Sequence, residues 1–126
     1  MTPKNVLVVD DEQNSREGLS KILSKEGYKV YTAENGKKAL VEAESQKFDL
    51  IITDLRMPEM DGIEVLEKLR RKNEDIGVVI VTAYGEVNSY LKAMNLGAFE
   101  YLNKPIHLEE LRRVISKALH ERTQVS

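Results

Sequence analysis

Hydrophobic residues alternate along the chain between two kinds of segment. Short runs rich in β-branched residues occur at 6–9, 29–32, 50–52 and 78–81, and a weaker one at 98–102. Three of these runs are apolar throughout, which is typical of strands whose two faces are both buried in a parallel sheet. The pattern therefore predicts five strands at these positions.

Between the runs, hydrophobic residues recur at the three- and four-residue spacing of an amphipathic helix. The predicted stripes are Leu19, Ile22, Leu23; Ala39, Leu40, Ala43; Ile63, Leu66, Leu69; Val87, Tyr90, Leu91, Met94; and Leu108, Leu111, Ile115, Leu119. Gly27 and Gly97 are predicted to end helices, and Pro105 to lead into the last one. This βα alternation predicts an α/β domain, a doubly wound parallel sheet with helices on both faces.

Composition narrows the class of protein. A chain of 126 residues fits one domain and is about half the length of a (β/α)₈ barrel. Because it has no cysteine, disulfides and thiolate metal sites are excluded. The 19 basic and 21 acidic residues leave a net charge of −2, which argues against direct nucleic-acid or membrane binding. No apolar run could span a bilayer, so we expect a cytoplasmic protein.

Two further expectations concern local features. Residues 123–126 are expected to form a loose tail or the start of a linker after a domain over 1–122. The neighbouring arginines Arg70 and Arg71 lie on a predicted helix among acidic residues, so both are expected on a solvated face.

Polar residues collect where the predicted strands end. Ligands of such sheets bind outside the carboxyl ends of the strands. The residues found there are Asp10, Asp11 and Glu12 after the first strand, Asp54 after the third, Thr82 after the fourth and Lys104 after the fifth. We therefore predict that three aspartates, a hydroxyl and a lysine form one cluster.

This set of residues favours phosphoryl chemistry on the protein itself. Adjacent carboxylates repel each other, and a hard cation such as Mg²⁺ or Mn²⁺ relieves that repulsion. Lys104 and Thr82 could bind the oxygens of a phosphoryl group. Neither G-x-x-x-x-G-K-[ST] nor G-x-G-x-x-G occurs, so the chain offers no loop for a nucleotide. An aspartate that accepts a phosphoryl group covalently fits these observations.

Four segments in register resemble the receiver domain of two-component response regulators. They are VLVVDDE, ITDLRMPEMDG, VTAYG and GAFEYLNKP, and the resemblance covers about residues 5–122. It implies a flavodoxin-like (βα)₅ fold with strand order 2-1-3-4-5. It also implies a phospho-accepting signalling domain that assists its own phosphorylation and dephosphorylation, rather than an enzyme.

The resemblance assigns a role to each matching residue. Asp54 would be the phospho-acceptor, and Mg²⁺ would be held by Asp10, Asp11, Asp54 and the backbone carbonyl of Arg56. Lys104 would bind the phosphoryl oxygens, with a cis bond to Pro105. Thr82 and Tyr101 would act as switch residues, and Arg56 and Tyr84 are positions that tune the lifetime of the phosphoryl group.

Partners are likewise implied by the resemblance. A sensor histidine kinase would donate the phosphoryl group. The face formed by the fourth helix, fifth strand and fifth helix would then control an output domain or downstream protein, with homodimerisation through that face left open. The segment VTAYGEV and the later GAFEYLNKP are similar to receivers of nitrogen-regulation-type (sigma-54) activators, which implies transcription regulation.

Other interpretations stay open at the level of sequence. Asp10 and Asp11 could merely cap the first helix, and Lys104 could be an ordinary solvated lysine. A phosphohydrolase with an aspartate nucleophile usually carries a second aspartate two residues later, where this chain has Arg56. A pseudo-receiver would have lost an acid or the lysine, and a flavodoxin-like cofactor carrier would not place three acids in its first loop.

Overall fold

The five β-rich segments form the strands of one parallel sheet, and the stripes between them form helices. The computed structural model describes residues 3–72 and 74–124. The strands are β1 Asn5–Val9, β2 Lys29–Ala33, β3 Leu50–Asp54, β4 Gly77–Thr82 and β5 Glu100–Asn103. The helices are α1 Gln13–Lys25, α2 Gly36–Ser45, α3 Gly62–Arg71, α4 Val87–Asn95 and α5 Leu108–Gln124. Among these, no helix is long and apolar enough to cross a membrane.

The strand order is β2-β1-β3-β4-β5, as the resemblance implies. Consecutive residues of a strand point to opposite faces of the sheet. Leu7 therefore packs with α2, α3 and α4 residues such as Ala39, Leu66 and Ala93. Val8 packs on the other face with residues of α1 and α5 that include Leu23 and Ile115. Because both faces are covered, β1, β3 and β4 show no alternation of apolar and polar residues.

Helix ends follow local signals in the sequence. Gly27 and Gly97 follow the C-caps of α1 and α4 with φ of 97° and 85°, a backbone conformation that glycine adopts without strain. Asp61 caps α3 through a reciprocal capping box with Glu64. The last helix, α5, begins at Leu108, the first residue of its predicted stripe, three residues after Pro105.

The end of α5 falls within the predicted tail. Thr123 and Gln124 belong to the helix, whereas residues 125–126 lie outside the described residues. The helix thus continues two residues beyond the boundary at 122 expected for the domain. The boundary itself stays a prediction.

Arg70 does not lie on a solvated face, so that expectation was wrong for this residue. Its guanidinium donates hydrogen bonds to the carbonyl oxygens of Leu96 and Gly97 after α4, and to those of Glu74 and Ile76 before β4. Arg71 is exposed, as predicted, and its guanidinium lies 3.8 Å from the Glu67 carboxylate. The helix turns these adjacent residues about 100° apart, so only one reaches α4.

Candidate functional site

The sheet brings the predicted polar residues together at the carboxyl ends of its strands. Asp10 follows β1, Asp54 ends β3, Thr82 ends β4 and Lys104 follows β5. Strand order reverses where β1 lies between β2 and β3, so Asp10 and Asp54 stand at the switch point of the sheet. The four residues thus line one edge, as the sequence predicts.

Three carboxylates form the centre of this site. One oxygen from each of Asp10, Asp11 and Asp54 lies within 4.8 Å of the others. The side chains of Asp10 and Asp54 are 10% and 13% exposed, whereas Asp11 is exposed. A set of carboxylate oxygens on the open edge of a buried sheet fits a hard divalent cation that keeps some of its water. The residues present therefore fit Mg²⁺.

Lys104 supplies the countercharge within the cluster. Its Nζ lies 3.4 Å from Oδ2 of Asp54 and 3.6 Å from Oδ2 of Asp10. Burial nevertheless raises the pKa of Asp54, and the charge of Asp10 raises it further, while the Lys104 ammonium opposes both effects. Lys104 thus compensates only part of the cost of holding these carboxylates together.

The backbone around Asp54 is held closely. The Leu55 N–H donates to the Val81 carbonyl at 2.8 Å, and the Gly62 N–H donates to the Leu55 carbonyl at 2.8 Å. A Cβ at Gly62 would lie 2.5 Å from the Asp54 carbonyl oxygen, so only glycine permits this approach of α3 to β3. These contacts fix the direction in which the Asp54 carboxylate leaves the strand.

Arg56 points away from the strand end toward the loop before α4. Its guanidinium forms an ion pair with Glu86, the N-cap residue of α4. Both side chains are more than half exposed. No local pattern in the sequence indicates this contact, since 30 residues separate the partners. The Arg56 backbone carbonyl stays a predicted metal ligand.

The predicted switch residues are both buried. Thr82 is 0% exposed, and its Oγ1 accepts a hydrogen bond from the Tyr84 N–H at 3.0 Å. The Tyr101 hydroxyl lies 2.7 Å from Oγ of Ser89 on α4, and its ring packs edge-on against Tyr90 with centroids 5.5 Å apart. Tyr101 therefore connects β5 to α4. Ser89 was not identified from the sequence, because a lone serine in a helix has no distinctive signal.

An apolar cavity of about 510 Å³ opens beside the carboxylates. It lies between α1 and the start of α5, and Asp10, Asp54 and Lys104 line one end. Its apolar walls include Leu19, Ile22, Ile106, Leu108 and Leu111. The sequence assigned Leu19 and Ile22 to the core stripe of α1, yet Ile22 is 39% exposed.

Known proteins share this sequence and architecture. A family model described as "Response regulator receiver domain" matches residues 6–116. Sporulation initiation phosphotransferase F of Bacillus subtilis (strain 168) is 37% identical over 119 residues, which are 94% of this chain and 96% of the relative. Regulatory protein AtoC of Escherichia coli (strain K12) is 40% identical over 90% of this chain, which spans only 25% of AtoC.

Solved structures agree with these matches. A CheY-like receiver domain protein from Methanospirillum hungatei JF-1 has a TM-score of 0.95 and 30% identity, covering 99% of this chain and 100% of that one. Response regulator protein TrrA from Thermotoga maritima, solved in complex with Mg(2+)-BeF, has a TM-score of 0.84 and 41% identity, covering 92% and 99%. Phosphorylation-dependent signalling is the function of this family. With its matched segments in register and the same five-stranded fold, the chain belongs to the response regulator receiver domain family.

Proposed function

We propose that Asp54 accepts a phosphoryl group from a phosphohistidine of a sensor histidine kinase, in a reaction that requires Mg²⁺. The observation that carries this proposal is the position of the Asp54 carboxylate. It stands at the end of β3, between Lys104 and two further carboxylates, on the open edge of the sheet. In the transfer, an oxygen of Asp54 forms a bond to phosphorus as the bond from phosphorus to the donor nitrogen breaks.

The chain's own residues prepare this step. Asp10, Asp11, Asp54 and the Arg56 carbonyl would hold the cation, with Mn²⁺ an alternative to Mg²⁺. Bound there, Mg²⁺ would neutralise charge on the carboxylates and on the phosphoryl oxygens. Lys104 lies within 3.6 Å of both Asp10 and Asp54, so its ammonium can follow the new charge without crossing the site. The same residues would assist dephosphorylation.

The apolar cavity supports a protein donor. Its walls of Leu19, Ile22 and Leu108 end at the Asp54 carboxylate, and Ile22 and Leu108 are 39% and 38% exposed. A donor that covers these side chains would bury them and exclude water from the acceptor. We therefore expect the kinase to approach over α1 and the start of α5. Because histidine kinases present their phosphohistidine in the cytoplasm, the reaction would take place there.

Thr82 and Tyr101 would transmit the modification. A phosphoryl group at Asp54 adds about −1.5 to −2 charges and three acceptor oxygens. For Thr82 to reach them, Oγ1 must give up its hydrogen bond to the Tyr84 N–H, which changes the start of the loop before α4. Tyr101 joins β5 to α4 through Ser89, so it would respond to that change.

The signal would leave through the face formed by α4, β5 and α5. Val87 and Leu91 of α4 are 73% and 52% exposed, and Tyr84 in the preceding loop is 70% exposed. Such apolar exposure suits an output domain, a downstream protein or a second phosphorylated copy of the chain. Relatives include a single-domain phosphotransferase and much longer regulators such as AtoC, so either a relay or transcription regulation would follow.

Intact mass spectrometry after incubation with acetyl phosphate tests the acceptor directly. Wild type should gain the mass of one phosphoryl group with Mg²⁺ and none when the metal is chelated. Asp54→Asn should gain nothing. Asp61→Asn is the matched control, because Asp61 caps α3 outside the carboxylate cluster and asparagine also caps helices. A gain that persists in Asp54→Asn, or that ignores Mg²⁺, would refute the proposal.

A further inference from the structure

The C-terminal end of α4 is tied to the body of the domain by one side chain. Arg70 Nε donates to the Leu96 carbonyl at 2.9 Å, and Nη2 donates to the Gly97 carbonyl at 2.9 Å. Nη1 of the same guanidinium donates to the carbonyls of Glu74 and Ile76 at 2.7 and 3.1 Å. One residue of α3 thus joins the end of α4 to the segment that leads into β4.

This arrangement suits arginine for two physical reasons. Carbonyls at a helix C-terminus lack intrahelical donors and carry the negative end of the helix dipole, so a cation is favoured there. A planar guanidinium presents donors in several fixed directions, which a lysine ammonium cannot reproduce. Gly97 permits the approach, because a Cβ there would lie 3.3 Å from Arg70 Nε.

The N-terminal end of α4 is held differently, because Ser89 and Tyr90 contact the side chain of Tyr101, the residue predicted to act as a switch. The N-cap residue of α4, Glu86, makes no side-chain capping hydrogen bond, and its contact with Arg56 is an exposed ion pair. The first helical residue, Val87, is 73% exposed. By contrast, Ala93 near the other end is fully buried. Exposed ion pairs contribute little to stability, so the two ends of α4 differ in restraint.

We propose that Arg70 is a positioning residue that makes α4 pivot about its C-terminal end when Asp54 is phosphorylated. This inference rests on the proposed function of Asp54. The first turn of α4, next to the Thr82 loop, moves, whereas residues 96–98 stay attached to α3. The pivot directs the response of the domain into the exposed start of α4, where Val87 and Tyr90 meet a partner.

Amide NMR of the whole chain tests this proposal, with Mg²⁺ and beryllofluoride as a stable mimic of the phosphoryl group. In wild type, the amide shifts of residues 85–90 should change several-fold more than those of residues 96–98. In Arg70→Gln this ratio should fall toward one. Without beryllofluoride, hydrogen-exchange protection at Leu96, Gly97 and Ala98 should fall roughly tenfold or more. Arg70→Lys should change both quantities in the same direction, and it replaces the glutamine variant if that variant does not fold.

Arg71→Gln is the matched control, since it removes the same charge from the next residue of α3. Arg71 is 71% exposed and 3.8 Å from Glu67, so its loss should leave both the ratio and the protection unchanged. Wild-type shifts that are equal at both ends of α4 would overturn the pivot alone, as would an Arg70→Gln variant that behaves like wild type. A wild type that shows no response to beryllofluoride would instead refute the proposed function and, with it, the pivot. The hydrogen-exchange data would still report whether Arg70 holds the C-terminal end of α4.

Discussion

Replacing Asp54 by asparagine should stabilise the metal-free fold at neutral pH. The Asp54 carboxylate is 13% exposed and lies within 4.8 Å of the oxygens of two other acids. With an effective dielectric constant of about 20, charges at that separation repel by about 3.5 kcal/mol, and Lys104 at 3.4 Å attracts by about 5 kcal/mol. Because exposure screens Asp11, attraction and repulsion nearly cancel, and the cost of burying the charge remains.

The free-energy cost of burying the ionised carboxylate is also the main reason why the pKa of Asp54 is raised. Asparagine keeps the shape and removes the charge, so we expect about 1–2 kcal/mol of added stability at pH 7. The melting temperature should rise by roughly 3–8 °C. The pKa of Asp54 is higher in the folded state than in the unfolded state. The free energy of unfolding of wild type should therefore fall as the pH rises between these two pKa values, because Asp54 then ionises. The advantage of asparagine should therefore vanish below the ordinary carboxyl pKa.

Urea unfolding at several pH values, with Mg²⁺ or with a chelator, measures this effect. Saturating Mg²⁺ at about 100 times its Kd should add about 2.7 kcal/mol to wild type and less to the variant, which narrows the difference between them. Glu67→Gln is the control, because that carboxylate lies outside the site and its nearest cationic partner, Arg71, is 3.8 Å away. A metal-free Asp54→Asn protein that is less stable than wild type at pH 7 would show that Lys104 outweighs burial and repulsion.

Three further predictions concern packing and local structure. Gly62→Ala should cost about 1–3 kcal/mol in urea unfolding, because its Cβ would lie 2.5 Å from the Asp54 carbonyl oxygen. Gly18→Ala, which has open space around it, should instead add about 0.5–1 kcal/mol, and equal effects of the two changes would contradict this. Asp61→Ala should cost about 1 kcal/mol through loss of the α3 cap, and amide exchange should increase first at the start of α3. Tyr101→Phe should cost about 1 kcal/mol by removing its hydrogen bond to α4, and an unchanged unfolding midpoint would show that water replaces that bond.

Much of the fold could be predicted because its signals are local. The unbroken apolar run of β1 indicates a strand buried on both faces, and a glycine at position 97 indicates the end of α4, where the backbone takes a positive φ. The same holds for the site, since Asp10 and Asp54 follow strands whose carboxyl ends must share one edge. The start of α5 was less clear, because Pro105 marks the turn but does not say where helical hydrogen bonds begin.

The sequence by itself determined the order of strands and helices and the residue types at each strand end, because propensity, periodicity and turn chemistry act over a few neighbouring residues. Only the tertiary structure decided how those residues are used. Lys104 reaches two carboxylates, Arg70 holds the end of α4 while Arg71 stays in solvent, and Thr82 is fully buried. The contacts of Lys104 and Arg70 depend on the direction of one side chain and on partners far away in the chain, and the burial of Thr82 depends on the packing around the end of β4. Packing determines such directions, and no local pattern of residues encodes them.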